Sequence, residues 1–409
     1  MNIKKKIVIF GVTGDLSKRM LLPSLDKLMR EKLIDDVEII GISRRIFNPN
    51  DIINNSAIID KSNTPIKLIN YTIETNNNDE YIKFKNFLNI DKETEVLIYL
   101  SVPPTSSLEY VEMLGKNNLN SNNIKLLIEK PFGWDLDSAN KYFSEMEKYF
   151  NSNQILCIDH YLLKNSVENF INLRKEKKYI NKWNSQSIKS IEVLGLEKIG
   201  IEGRTVFYEQ TGALRDFVQN HLIQLLTLTI VNIDNSFELK NLIKEKNEVI
   251  KNLKISNIKN CIRGQYKKYR EEVKNDSSII ETFTNIPLES SDSTWLNTKF
   301  YLITGKSLNE KKSAIVIYFK DGTIIDFDVN KNFSKIINKK EYILSAYESV
   351  FLNALNNNKT FFANKDEIIK SWEIFQPLID YWKEDHNDIV FYNENEKYDN
   401  IKPLKTINN

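Results

Sequence analysis

The first 160 residues alternate short β-rich runs with helical stretches, and this alternation limits the possible folds more than any other feature of the chain. Strands that alternate with helices form βαβ units, which build a parallel sheet with right-handed crossovers. Apolar runs predict the strands, and apolar residues at helical spacing predict the helices. The predicted strands are residues 6–10, 37–42, 95–100, 124–128 and 154–158, and the predicted helices include residues 17–33 and 136–150.

The pattern changes after about residue 190. Strands then follow one another without a helix between each pair, which is typical of an α+β domain with a largely antiparallel sheet. We therefore predict an N-terminal Rossmann-like doubly wound parallel sheet in residues 1–160, followed by a larger, mostly antiparallel sheet with helices in residues 161–409. The later strands are predicted at residues 188–196, 282–286, 299–303, 313–319 and 322–329, and the later helices at residues 214–229, 342–356 and 366–384.

Charge and cysteine content narrow the classes of partner. The chain carries 57 Lys and Arg against 55 Asp and Glu, and their interspersed arrangement argues against a dedicated nucleic-acid binder. Cys157 and Cys261 are too few and too far apart for a disulfide framework or a cysteine-based zinc site, and no metal site is predicted. No stretch approaches the roughly 18 apolar residues of a membrane span. We expect a soluble, cytoplasmic globular protein.

A glycine-containing turn, residues 11–17 (GVTGDLS), joins the first predicted strand to the first helix. Glycines permit a tight turn, and the start of the helix offers unpaired N–H groups to a pyrophosphate. The spacing is G-x-x-G rather than G-x-G-x-x-G, so the motif alone also fits an ordinary βα turn. Its place in the first βαβ unit favours a dinucleotide site.

Two arginines follow the second predicted strand and bear on the choice of dinucleotide. An NAD enzyme usually carries an acid here for the ribose 2′-hydroxyl, whereas an arginine suits a 2′-phosphate. Arg44 and Arg45 occupy this place, while Asp35 and Asp36 precede the strand and lie at its opposite end. The sequence therefore favours NADP; the alternative is that both arginines are solvated loop cations.

Chemically active side chains collect at two further strand ends and at one helix start. Residues 129–133 (EKPFG) follow the fifth predicted strand, where α/β sheets hold their ligands. Residues 159–164 (DHYLLK) bring together an acid, an imidazole, a phenol and an ammonium group. Residues 212–222 (GALRDFVQNHL) place an aspartate and a histidine at the start of an amphipathic helix. Taken singly, the two histidines in these motifs also fit structural roles, and His386 lies in a polar segment where a solvated side chain is expected.

Together these motifs resemble those of the glucose-6-phosphate dehydrogenase family. GVTGDLSKR, EKPFG, IDHYLLK, EGR, GALRDFVQNHLIQLL, RGQY and GKSLNEKK occur in this order between Ile7 and about Glu384. IDHYL-x-K and RD-x-x-QNHL are the most specific of them. The resemblance implies an NADP-dependent enzyme that oxidises glucose 6-phosphate at C1 to the lactone by hydride transfer. It also implies a homodimer that forms through the large sheet.

The resemblance also implies residue roles. His221 matches the general base, and imidazole is the natural base near neutral pH. Asp159 matches the carboxylate that orients this base and stabilises the imidazolium. The matches to the sugar-phosphate ligands are His160, Tyr161 and Lys164; those to the contacts with sugar hydroxyls are Lys130, Glu197, Asp216 and Lys306; and Lys311 falls where many members have an Arg near the phosphate. The predicted cofactor-binding residues are Gly11, Thr13, Gly14, Asp15, Leu16, Arg44, Ser101, Pro103, Glu129 and Lys130.

Three departures from the family pattern leave alternatives open. Leu163 stands where the family usually has Gly, residues 204–208 replace a glycine-rich segment, and the stretch from Phe319 to Tyr347 is shorter than usual. The shortening predicts that no second, structural NADP site is present. The alternatives are a paralogue for another sugar phosphate, a related oxidoreductase for unphosphorylated sugars, and a non-catalytic dinucleotide sensor. The cluster at residues 159–164 argues against an oxidoreductase for unphosphorylated sugars. The pair His221 and Asp159 argues against a non-catalytic sensor.

Overall fold

A computed structural model divides the chain into two compact units, and each is described here by itself. Asp36, named above, lies outside the described residues, which are 4–35, 37–74, 77–234, 236–384 and 386–402. The first unit comprises Met1–Gly133, Asp137–Asn165 and Ser334–Lys365, and the second comprises Trp134–Leu136, Ser166–Phe333 and Asp366–Asn409. Ser334–Lys365, within the predicted domain of residues 161–409, thus packs with the first unit.

The first unit contains a six-stranded parallel sheet with helices between the strands. Its strand order is β3-β2-β1-β4-β5-β6, so the winding direction reverses between β1 and β4, where doubly wound sheets form a ligand crevice. The predicted Rossmann-like sheet is confirmed. The strands are β1 (Lys4–Phe10), β2 (Val37–Ser43), β3 (Leu68–Thr72), β4 (Thr94–Leu100), β5 (Ile124–Ile128) and β6 (Ile155–Cys157), and the helices of this part of the chain are α1 (Leu22–Arg30), α2 (Pro49–Asn54), α3 (Asn78–Leu88), α4 (Pro104–Lys116), α5 (Leu136–Glu147) and α6 (Asn165–Arg174).

The second unit is built on a larger mixed sheet. Its order is β13-β12-β7-β11-β10-β9-β16, with β8 paired to β10. Most pairs are antiparallel, as predicted, but β7–β11 and β9–β16 are parallel. The remaining strands of the chain are β7 (Ile188–Leu196), β8 (Leu253–Ile255), β9 (Ile262–Tyr266), β10 (Phe283–Ser290), β11 (Lys299–Gly305), β12 (Lys312–Phe319), β13 (Ile324–Asp328), β14 (Lys335–Ile337), β15 (Lys340–Tyr342) and β16 (Ile389–Tyr392), and the remaining helices are α7 (Thr205–Ala213), α8 (Ile223–Ile230), α9 (Leu242–Lys251), α10 (Tyr269–Val273), α11 (Ala346–Leu355) and α12 (Lys365–Trp382).

The late segment Ser334–Lys365 completes the first unit. It contributes the hairpin β14–β15 and helix α11, which packs against α1. Lys27 Nζ bonds to Glu348 Oε2 at 2.9 Å, and Lys5 Nζ donates to the carbonyl of Leu355 at 3.2 Å. The first unit is therefore assembled from parts that are far apart in the chain. Each helix in the described part of the chain is too short or too polar for a membrane span.

Candidate active site

The turn after β1 has a backbone conformation that requires glycine. Gly11 has φ +76°, and a Cβ on it would overlap the carbonyl oxygen of Ser101, which follows the neighbouring strand β4. The N–H of Gly14 donates to the carbonyl of Gly11 at 2.9 Å, and Ser17 Oγ donates to the same oxygen at 3.2 Å. This tight turn brings the predicted cofactor residues 11–16 beside Ser101 at the switch point of the sheet, a cradle that fits a dinucleotide.

The end of β2 presents Arg44 to solvent. Arg44 and Arg45 are exposed, and the N–H of Arg45 donates to Ser43 Oγ at 3.2 Å. Among the described residues, Arg44 has no ion-pair partner that would commit its guanidinium elsewhere. Asp35 precedes β2 and lies at the opposite end of the strand. A cation is thus available at the strand end where the ribose of a dinucleotide is bound.

Two tyrosine hydroxyls hold the carboxylate of Glu129, directly after β5. Tyr99 from β4 and Tyr347 from α11 both donate to it. Burial raises the pKa of Glu129, and the charge of Asp159 adds to this, while the two hydroxyls and Lys130 oppose it. The peptide bond between Lys130 and Pro131 is cis. Sequence reasoning missed both tyrosines, although Tyr99 is the phenol in the otherwise aliphatic, buried run Val96–Leu100.

The turn after β6 gathers the predicted phosphate ligands of the first unit. Asp159 is buried, and its Oδ1 accepts from the N–H of Tyr161 at 2.8 Å. The rings of His160 and Tyr161 lie 4.9 Å apart, and Lys164 Nζ lies 4.0 Å from the centre of the Tyr161 ring. One short turn therefore combines an imidazole, a phenol and an ammonium group. Leu163, in the same turn, is buried.

In the second unit, a π-helical segment, Leu214–Leu222, carries Asp216 and His221. Segments of this kind occur frequently at functional sites. The His221 side chain is 1% exposed, and Asp216 is half-buried. The segment follows a sharp kink at Gly212, where φ is +61° and ψ is −179°.

The carboxylate of Glu281 fixes the start of this segment. Its Oε1 accepts from the N–H of Leu214 at 2.9 Å. The main-chain carbonyl of Glu281 accepts from the N–H of Ala213, also at 2.9 Å. Glu281 is buried, and this burial raises its pKa. Sequence reasoning missed Glu281, because it is more than 60 residues from the helix that it holds.

The remaining predicted sugar ligands of this unit lie at one edge of its sheet. Glu197 follows β7 and Lys306 follows the parallel neighbour β11, so the two side chains emerge together and form an ion pair. Lys306 Nζ also lies 5.5 Å from the centre of the Tyr208 ring. Lys311, which directly precedes the antiparallel strand β12, is exposed near the same edge. The two units thus each bring a subset of the predicted site residues together.

Comparison with known proteins gives a consistent result over most of the chain. The family model described as "Glucose-6-phosphate dehydrogenase, NAD binding domain" matches residues 8–169, and "Glucose-6-phosphate dehydrogenase, C-terminal domain" matches residues 172–336 and 323–401. The chain is 31% identical to glucose-6-phosphate 1-dehydrogenase of Buchnera aphidicola subsp. Schizaphis graminum over 94% of this chain and 92% of that protein. The corresponding enzyme of Borreliella burgdorferi is 32% identical over 92% of this chain and 91% of that protein. A solved glucose-6-phosphate dehydrogenase in complex with its substrate glucose 6-phosphate matches with a TM-score of 0.86 and 25% identity, over 96% of this chain and 95% of that one.

Proposed function

The chain belongs to the glucose-6-phosphate dehydrogenase family, an oxidoreductase family that uses NADP, and we propose that it oxidises the C1 hydroxyl of glucose 6-phosphate to the lactone. The observation that supports this substrate most directly is the turn at residues 159–164. His160, Tyr161 and Lys164 converge there within a few ångströms. Such donors suit a phosphate dianion, and an unphosphorylated sugar has no anionic group for them to neutralise.

His221 is the proposed general base. Loss of hydride from C1 requires that the proton on O1 leaves, and a neutral imidazole nitrogen accepts a proton readily near neutral pH. Family resemblance gives Asp159 the role of the carboxylate that orients the base and stabilises its cation. The burial of both side chains supports these roles, because a group shielded from water keeps a fixed orientation.

The proposed cofactor is NADP, held by the first unit. Bound NADP supplies the nicotinamide ring that accepts the hydride. The glycine turn at residues 11–16 and the loop with Ser101 and Pro103 are proposed to bind the pyrophosphate region, and Glu129 and Lys130 the nicotinamide end. Arg44 is proposed to bind the 2′-phosphate, which is supported by its exposed position after β2.

Charged side chains are proposed to orient the sugar hydroxyls. The Glu197–Lys306 pair offers both an acceptor and donors from one position, and Asp216 and Lys130 add one group each. Lys311 is proposed to contribute a point charge to the phosphate, with less directional binding than an arginine would give.

One assay tests the function: formation of the reduced nicotinamide, followed by absorbance, with a panel of sugars and two dinucleotides. We expect turnover with glucose 6-phosphate and NADP, a lower kcat/KM with NAD, and very little turnover with unphosphorylated glucose or galactose. Turnover of unphosphorylated sugars at comparable kcat/KM would contradict the phosphate site. The absence of turnover with every hexose phosphate would favour a non-catalytic dinucleotide sensor.

Another sugar phosphate is the alternative substrate, and Leu163 is the observation that favours it. Its buried side chain sits in the same turn as the proposed phosphate ligands, where the family usually has glycine. A higher kcat/KM for a different hexose 6-phosphate in the same panel would establish this alternative.

A homodimer is the proposed assembly, as the family resemblance implies. Its test is the molar mass in solution by light scattering. A mass of about one chain across the working concentration range would contradict it.

A further inference from the structure

The ring of Phe217 contacts the ring of His221 within the segment Leu214–Leu222. The ring centres are 5.2 Å apart and the planes meet at 73°, an edge-to-face arrangement. Because the His221 side chain is 1% exposed, protein neighbours rather than water determine its orientation. Phe217 is one of those neighbours, and it carries no titratable group of its own.

A glycine on β7 makes room for the Phe217 ring. Gly195 lies inside the strand, where glycine weakens a sheet unless something approaches the backbone closely. A Cβ on Gly195 would be 2.8 Å from Cδ1 of Phe217 and nearer still to Cε1. The ring therefore occupies the space that any other residue at this position would fill.

The strand beneath the ring is firmly held. Gly195 pairs with Thr304 of β11 on one side and with Ser313 of β12 on the other. Its carbonyl also accepts from Thr304 Oγ1 at 2.6 Å. A group added to Gly195 must therefore displace the Phe217 ring, because the backbone between two strands cannot move away.

We propose that Phe217, seated against Gly195, is a positioning residue that sets the orientation of the His221 ring. This inference rests on the proposed function, because ring orientation affects catalysis only if His221 is the base. A displacement of about 1 Å in a reacting group can lower turnover by about 10²-fold. Phe217 acts through His221 and carries out no proton transfer itself.

A double-mutant cycle tests the proposal through steady-state kinetics. Phe217→Leu and Gly195→Ala should each lower kcat by about tenfold and change KM for the sugar phosphate by less than about twofold. In the Phe217→Leu background, Gly195→Ala should cause no further loss, since the shorter side chain leaves room for the methyl group. Full additivity of the two losses, or normal kcat in both single variants, would overturn the proposal.

A matched control separates positioning from general packing stress. Gly115 in α4 also faces an aromatic ring, and a Cβ on it would be 2.5 Å from Cβ of Tyr149 and nearer to Cδ1. Gly115→Ala should lower the melting temperature but leave kcat unchanged. If it lowers kcat as much as Gly195→Ala does, the loss is unspecific and the proposal fails.

A spectroscopic measurement tests the contact without relying on activity. The chain has 3 histidines, so the Cε1–H signal of His221 can be assigned by its disappearance in His221→Asn. Phe217→Leu and Gly195→Ala should both shift this signal, because they remove or displace the ring current of Phe217, and Gly115→Ala should not. If the wild type is active, and both variants keep a normal kcat and an unshifted His221 signal, the inference is refuted and the proposed function stands. A wild type that turns over no sugar phosphate would refute the function, whatever the signal shows.

Discussion

At the residue scale, His221 is the side chain on which the proposed chemistry depends most. His221→Asn should lower kcat by about 10²- to 10⁴-fold, because the amide cannot accept the C1 hydroxyl proton. NADP affinity, measured by fluorescence titration, should not change. His386→Asn is the matched control. His386 is exposed, its ring centre lies 4.0 Å from that of Tyr381, and it should be dispensable for turnover. Turnover near the wild-type rate in His221→Asn would remove the assignment of the base.

Lys164 is expected to act in binding rather than in proton transfer. A charge-assisted hydrogen bond to a phosphate contributes about 1.5–3 kcal/mol, so Lys164→Ala should raise KM for glucose 6-phosphate by about 10- to 150-fold. The KM for NADP should stay within about twofold. An unchanged KM for the sugar phosphate would mean that the phosphate binds elsewhere.

At the element scale, the kink at Gly212 determines where the segment with Asp216 and His221 begins. Its φ and ψ lie in a region that is accessible essentially to glycine alone. A Cβ there would also overlap Oε1 of Glu281, which holds the N–H of Leu214. Gly212→Ala should therefore cost about 2–3 kcal/mol of unfolding free energy in a urea titration, and it should lower kcat as well.

Gly322→Ala provides the comparison for this prediction. Gly322 also has a positive φ, of +88°, but a Cβ on it would meet nothing within 4 Å. The loss of unfolding free energy in Gly322→Ala should come from the backbone conformation alone, and kcat should not change. Equal losses of stability and of kcat in the two variants would show that the Glu281 contact has no role.

The strands differ in how well the sequence predicts them. β1, β4 and β5 were predictable because uninterrupted apolar runs mark strands covered on both faces. β3, with the sequence LINYT, was not predicted, since it lies at the sheet edge and only its first residue is buried. Local motifs indicated His221 and the turn at 159–164. Glu281 and the Gly195–Phe217 contact were not predicted, because no local sequence pattern reveals which distant residue packs on a helix.

At the scale of the whole molecule, buried carboxyl groups should make stability depend on pH. Burial raises the pKa of Glu281 above its ordinary value of 4.5. As the pH rises from 4.5 through the raised value, the unfolded chain loses this proton before the folded one, so the contribution to stability falls. Glu281→Gln keeps an oxygen that can accept from the N–H of Leu214 but cannot ionise. The melting temperature of the variant, relative to that of the wild type, should therefore increase with pH across this range. A difference that stays constant with pH would contradict the prediction.

The contribution of Ser334–Lys365 to the first unit has a consequence for biosynthesis. On the ribosome, the sixth strand is complete at Cys157, but helix α11 and Tyr347, which hold Lys27 and Glu129, are translated roughly 190 residues later. At about 5–20 residues per second, this interval lasts roughly 10–40 s. During this time the nascent unit lacks α11, which in the finished protein packs against α1 and places the ring of Phe351 5.8 Å from that of Tyr99 in β4. The first unit therefore starts to be translated before the second, but it cannot be completed until Ser166–Phe333 of the second unit has also been translated.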